Sequence, residues 1–256
     1  MTRDPALPRD DEMSAFLLRF IQGERRRDRI DVPVGNQSEF LLLFALVQRV
    51  RRLTQAFVRL QRSGFVSEAS LLVRAALEHA VTAQWAYLTP GGVTRLHVSC
   101  ARAQADLAAG MISYSKDPGW VDLAARLRAD VPAGPGLPKF TGREGIMAEL
   151  DSIHFLSASY RVLSQVGHVT HQAALDFLVE EEGEVHLRAE PEVLEQEQLR
   201  YALSGFCMLV AWIQARLEED HDEVARLKEI SVRLHVPWRL DTHLPPIRRR
   251  FPGEES

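Results

Sequence analysis

A mainly α-helical bundle with one small β-hairpin near residues 175–190 is the fold class this sequence predicts. Through most of the chain apolar residues recur at spacings of three and four, the period of a helix. Glycine and proline cluster at Pro33–Gly35, Pro90–Gly92 and Asp130–Gly142, so they punctuate helices without interrupting them. Alternation of apolar and polar residues, the mark of a strand, stands out in one stretch, LDFLVEEEGEVHLRAE from Leu175 to Glu190.

The elements follow in order. Residues 1–12 read as a loose polar lead-in, and a first helix is expected from Met13 to about Gly23. The basic run ERRRDR, Glu24–Arg29, reads as a solvated helix end, with a nucleic-acid patch as the alternative. A long helix spans about Glu39 to Arg62 and closes at Gly64. Its residues Leu43, Leu46, Val50, Leu53, Phe57 and Leu60 form a narrow seam, with Arg49, Arg51, Arg52, Arg59 and Arg62 lying off it. Such a seam packs either inside the domain or against a second copy, and a homodimer through 40–62 is the partner expectation.

The next helix, opening at Ser67 and ending at Leu88, carries LLVRAALEHAVTAQWAYL and is apolar on most sides. An alanine-rich helix follows over about Val93–Ser115, then a short one over Gly119–Ala129 capped by Asp117. Asp130–Gly142 is a loop. A further key helix covers Ile153 to about His171, and the hairpin comes after it with EEGE as its turn. Asp176–Glu197 holds nine acidic groups against Arg188, an acidic edge. The last helices are expected at about Pro191–Glu218 and His221–Leu234. One helical domain over 13–236 is therefore expected, followed by an extended, mobile tail over 237–256 with Pro237, Pro245, Pro246, Pro252 and Arg248–Arg250.

Composition narrows the function classes. The 256 residues are 46% hydrophobic and 26% charged with a net charge of −4, which gives no global attraction to nucleic acid or an anionic membrane. The longest apolar run, Phe40–Val47, falls far short of the ~20 residues that span a bilayer. With no apolar signal core at the N-terminus, a cytoplasmic location is expected. Cys100 and Cys207 read as buried, reduced thiols.

Two polar stripes carry the functional expectation. Ser67, Ser70, Arg74, Glu78 and Thr82 share one face of the apolar helix. His154, Ser157, Arg161, Ser164, Gln165 and His168 share one face of the Ile153–His171 helix, leaving Phe155, Ala158, Val162, Val166 and Val169 for the core. Burying a lone charge is costly, so the stripes should meet, with Glu78 against Arg161 or His168. The spacing also fits a plain intrahelical Arg74–Glu78 pair in a structural network. For a metal, His168 with His171 and Asp151 with His154 have helical ligand spacing, yet neither Glu-x-x-His nor His-Glu-x-x-His is present. No metal and no cofactor are expected.

Arg161 and His168, six residues between them near a helix end, resemble the arginine–histidine motif of the HEPN superfamily. That resemblance implies a helical dimer with a composite, metal-independent ribonuclease site, although Val162 stands where a polar residue is usual. A longer stretch, RAALEHAVTAQWAYL followed by YRVLSQVGHVTH and an acidic hairpin, resembles a bacterial family known as domain-of-unknown-function family 5677. Its marks fall on Arg74, Glu78, Tyr160, Ser164 and His168, over about Phe40–Glu218. Two functional expectations result. In the first, a polar interhelical groove binds RNA or a nucleotide through Arg74, Glu78, Tyr160 and Ser164. His168 then serves as general acid/base, and Arg161 stabilises negative charge on phosphate. In the second, the protein is a non-catalytic homodimeric interaction protein and the same residues form a structural network.

Overall fold

The computed structural model describes residues 10–23, 32, 37–115, 117–129, 140, 142–150, 155–167, 177–181, 183–187 and 196–240. These residues pack as two compact units. One draws on the chain up to Gln84 and again from Arg143, and the other on Trp85–Gly142.

In the first unit the most deeply enclosed helix is a late one, Gln196–Leu217, here called α8. Every residue from Leu203 to Val210 is buried. A helix that hides its whole circumference needs neighbours on every side. Packed on α8 are α1 (Asp10–Gln22), α2 (Gln37–Arg62) and α9 (His221–Leu234). Each turns one apolar stripe inward. In α1 it is Met13, Phe16, Leu17 and Phe20, spaced three and four apart. In α2 the inward stripe includes Leu43, Val47, Val50, Thr54 and Phe57, and in α9 it is Val224, Leu227, Ile230, Ser231 and Leu234. Burying one large apolar side chain is worth roughly 1.5–3 kcal/mol. A surface ion pair is worth about 0–1 kcal/mol. The apolar stripes therefore set how each helix is rotated.

The α2 seam packs inside the unit. Leu43, Val50 and Phe57 are fully buried and Leu53 nearly so. Arg51, expected off the seam, is buried as well. It follows Val47 by four residues and precedes Thr54 by three, so it belongs to the same inward face.

The helix α3 (Val66–Leu88) begins in this unit, and its last turn belongs to the second. It is buried on most sides, as expected, with Val73, Leu77, Ala80 and Gln84 sealed completely. The first unit also holds α6 (Gly142–Leu150), α7 (Phe155–Gly167) and a two-stranded antiparallel hairpin. The hairpin's strands are β1 (Leu178–Glu181) and β2 (Glu184–Leu187), and Leu178 pairs with Leu187. The turn uses Gly183 at φ +84°, where a side chain would be strained.

Ends are set by local chemistry. Asp220 accepts a hydrogen bond from the Glu223 N–H at 2.9 Å and so caps α9, which ends with His235 in the left-handed region at φ 50°. Beyond it the end of the expected domain, Val236, is packed, and so is Leu240 within the expected mobile tail. Tyr201 donates to the His235 carbonyl, and the Leu240 N–H donates to Gln84 Oε1 at 3.1 Å. Gln84 Nε2 donates to the Leu209 carbonyl at 2.9 Å, so this one amide ties α3, α8 and the residues after α9 together. The remainder of the tail, 241–256, lies outside the described residues, as do residues 1–9 of the expected lead-in 1–12 and the basic run 24–29, while residues 10–12 of that lead-in form the first turn of α1.

The second unit is an α-hairpin, α4 (Gly92–Ser115) against α5 (Gly119–Ala129), with Ala105, Ala108 and Ala124 buried. Asp117 accepts from the Gly119 N–H at 2.8 Å, the cap expected from its sequence position. A Cβ on Gly92 would meet the Ala86 carbonyl oxygen at 2.6 Å, so the turn entering α4 needs glycine. Arg95 lies 4.6 Å from the Trp85 ring centroid, and Phe140 meets that ring edge-on at 5.2 Å. Cys100, expected to be buried, is exposed on α4.

Candidate functional site: a clamped arginine on α3

Of the expected site residues, Arg74, Glu78 and Tyr160 come together. Arg74 and Glu78 are one turn apart on α3, and Arg74 Nε lies 3.5 Å from Glu78 Oε1. Arg74 Nη2 donates to the Tyr160 hydroxyl on α7 at 3.1 Å, and its guanidinium carbon lies 5.1 Å from the Tyr160 ring centroid. Both charged side chains are mostly buried, with 14% of Arg74 and 23% of Glu78 exposed. Low exposure strengthens each contact relative to a surface pair, because water competes less. A charge over a ring contributes about 0.5–2 kcal/mol, and a hydrogen bond to a charged group about 1.5–3 kcal/mol.

Arg161 is not part of this cluster. Consecutive residues point about 100° apart around a helix, so when Tyr160 faces α3 its neighbour Arg161 faces outward and is exposed. Val162, expected in the core, is 53% exposed. The core face of α7 is instead Leu156 and Leu163, seven apart, with Tyr160 between them. The expected pairing of Glu78 with Arg161 is thus replaced by pairing with Arg74. The reason is the two leucines, whose burial outweighs the polar stripe and turns α7.

Three hydroxyls of the two stripes serve their own helices. Ser164 Oγ donates to the Tyr160 carbonyl at 2.6 Å, Thr82 Oγ1 to the Glu78 carbonyl at 2.7 Å, and Ser70 Oγ to the Ser67 carbonyl. Back-bonding of this kind occupies the hydroxyl proton. Ser164 is thereby a helix-surface serine bonded to its own turn, not a donor aimed across the cluster. His168, the expected acid/base, lies outside the described residues, together with His154, His171 and Asp151. Among the described residues no group of three or more His, Cys, Asp and Glu could hold a metal.

A second polar cluster, absent from the expectation, lies inside the α1–α2–α8 packing. Arg51 Nε donates to the Phe20 carbonyl at 3.0 Å and Arg51 Nη2 to Gln214 Oε1 at 3.0 Å. Phe20 is in the last turn of α1, whose carbonyls have no intrahelical donors, so Arg51 caps that helix from a neighbouring one. The guanidinium also lies 4.9 Å from the Phe20 ring centroid. Gln214 Nε2 donates onward to Glu218 Oε1 at 2.7 Å. One turn along α2, Thr54 Oγ1 lies 3.1 Å from Cys207 Sγ. Burial pushes the Cys207 thiol up to about 12, against the lowering effects of the Thr54 hydrogen bond and the Arg51 charge. At neutral pH that sulfur is an inert thiol and no nucleophile. The sequence signal for Arg51 was its phase with Val47 and Thr54. For Gln84 it was an uncharged polar residue inside an otherwise apolar run.

Compared with protein-family models, with curated proteins and with solved structures, the chain has no match in any of the three, so the roles of these residues rest on their geometry.

Proposed function

We propose that this chain is a non-catalytic interaction protein of the cytoplasm, in which Arg74, Glu78 and Tyr160 fasten α7 to α3 as a structural clamp. The observation that carries this reading is the commitment of Arg74: one N–H to the Tyr160 hydroxyl, another 3.5 Å from Glu78, and its plane near the Tyr160 ring. Two of its five N–H groups are thereby turned to the protein's own side chains, which ties the guanidinium to α3 and α7 together. Self-association is part of the proposal. The inner seam of 40–62 is occupied within the unit, so a homodimer through this helix would use its outer face, where Leu41 is 75% exposed. Removing the clamp tests the reading. Tyr160→Phe and Arg74→Met should each lower the unfolding midpoint with no change in any RNA cleavage. Variants that keep wild-type stability overturn the clamp. Sedimentation at micromolar concentration should show a dimer that Leu41→Glu dissociates, and a monomer at all concentrations overturns the homodimer.

One observation favours a second reading, a metal-independent ribonuclease or RNA-binding protein. Arg161 is exposed on α7, where it could meet an RNA phosphate, and His168 follows it by seven residues. Cleavage of single-stranded RNA by chelator-treated protein, abolished by Arg161→Ala and by His168→Ala with the fold intact, would establish this reading. Absence of cleavage removes it. No described helix is long and apolar enough to cross a membrane, which agrees with either reading.

A further inference from the structure

We infer that a cavity of about 90 Å³ framed by α1, α2, α8 and α9 binds a small monoanionic carboxylate carrying a compact apolar body. Three guanidinium groups line it, those of Arg19, Arg51 and Arg226. Two of them are fixed before any ligand arrives. Arg51 is anchored by the Phe20 carbonyl and Gln214. Arg226 is held in a fork by both carboxylate oxygens of Glu223, leaving its Nη1 buried with no hydrogen-bond partner among the described residues. A buried donor without an acceptor is costly, and a carboxylate oxygen is the acceptor that a guanidinium matches best. Fixing donors in advance also lowers the ordering cost of binding.

The charge of the lining selects the ligand. Arg19, Arg51 and Arg226 give three positive charges, and Glu218 and Glu223 give two negative ones, a formal excess of one. One carboxylate neutralises that excess, whereas a phosphate dianion would add charge beside two glutamates. The apolar body has its own place. Phe16 and Arg19 also line a neighbouring pocket of about 160 Å³, where Phe16, Ile230 and Leu234 give an apolar wall alongside Glu12 and Arg233. By volume alone, a cavity of about 150 Å³ has room for a ring the size of benzene. Arg19 at the junction can meet the carboxylate while the ring lies on Phe16.

Phenylacetate is the probe, titrated against the full chain by ligand-observed NMR and by calorimetry. Phenethylamine, with the same body and opposite charge, and inorganic phosphate are the controls. Saturable phenylacetate binding at millimolar concentration is expected, weakened at least tenfold by Arg19→Gln and by Ala211→Leu, which fills the cavity wall. Neither control should bind saturably. If Ala211→Leu does not fold, Arg19→Gln at its exposed position decides alone. The inference is overturned if phenylacetate fails to saturate, if phenethylamine or phosphate binds as well, or if folded Arg19→Gln binds phenylacetate like the parent.

Discussion

Arg51 and Arg74 are chemically the same arrangement in two settings. Each guanidinium lies about 5 Å from an aromatic ring, Phe20 in one case and Tyr160 in the other, and each is hydrogen-bonded to a different helix. They differ in partners and depth. Arg51 is 8% exposed and donates to a carbonyl and to a side-chain amide at the centre of the α1–α2–α8 packing. Arg74 sits nearer solvent and has a carboxylate one turn away. An arginine amid packed helices caps and braces them. One at the rim, paired on its own helix, adds a single tether to a neighbour. Polar residues inside a helical protein are thus not by themselves a sign of catalysis, and here the deeper arginine is the more structural of the two.

Experiment can overturn or refine this contrast. The largest effect should be in thiol reactivity. Cys207 lies beside Thr54 in the Arg51 region and is fully buried, whereas Cys100 is exposed. Under native conditions a thiol reagent should label Cys207 at least about a hundredfold more slowly than Cys100, since labelling needs local opening. Equal rates would mean that the α2–α8 packing is loose. The same thiol gives a pH dependence. Its folded value of about 12 lies above the ordinary 9.0, so the folded state keeps a proton that the unfolded chain loses. Stability from this source is complete below about pH 9 and falls as the pH rises towards 12, and Cys207→Ala should flatten that fall.

Next comes Arg51→Ala, which removes a helix cap and leaves the Phe20 carbonyl and Gln214 in want of a donor. A loss on the order of 3 kcal/mol in denaturant unfolding is expected. Tyr160→Phe deletes only the hydrogen bond to Arg74 and keeps the ring, so about 1.5 kcal/mol, the low end for a bond to a charged group, is expected. Should Tyr160→Phe cost as much as Arg51→Ala, the ranking of the two sites reverses. The smallest effect belongs to Arg161→Ala, an exposed position, within about 0.5 kcal/mol of the parent. A larger loss would place Arg161 in a contact that its exposure on α7 does not suggest.

Much of the helical framework was legible in the residues. Gly119–Ala129 and His221–Leu234 fall where caps and periodicity put them, because Asp117 and the Asp220–Glu223 pair act within one turn of chain. The hairpin was legible from its alternation and Gly183. The rotation of α7 was not. Its apolar residues lie on more than one side, and choosing Leu156 and Leu163 over Val162 depends on the surface it meets, which is distant in sequence. Half of the candidate site was readable for the same reason. Arg74–Glu78 is local and was visible as a spacing, whereas the Tyr160 contact spans 86 residues. Arg51 escaped because a charge beside a seam is ordinarily solvated. The Phe20 carbonyl, 31 residues away, and Gln214, 163 residues away, offset the cost of its burial.

Whether Arg74 and Tyr160 form a structural clamp is best decided by a double-mutant cycle on unfolding free energy. Arg74→Met, Tyr160→Phe and the double variant would be compared with the parent by urea denaturation. The clamp predicts a coupling of at least about 0.5 kcal/mol, the double variant losing less than the two single losses combined. Strict additivity, with each single variant near the parent, would contradict it and free Arg74 for a ligand.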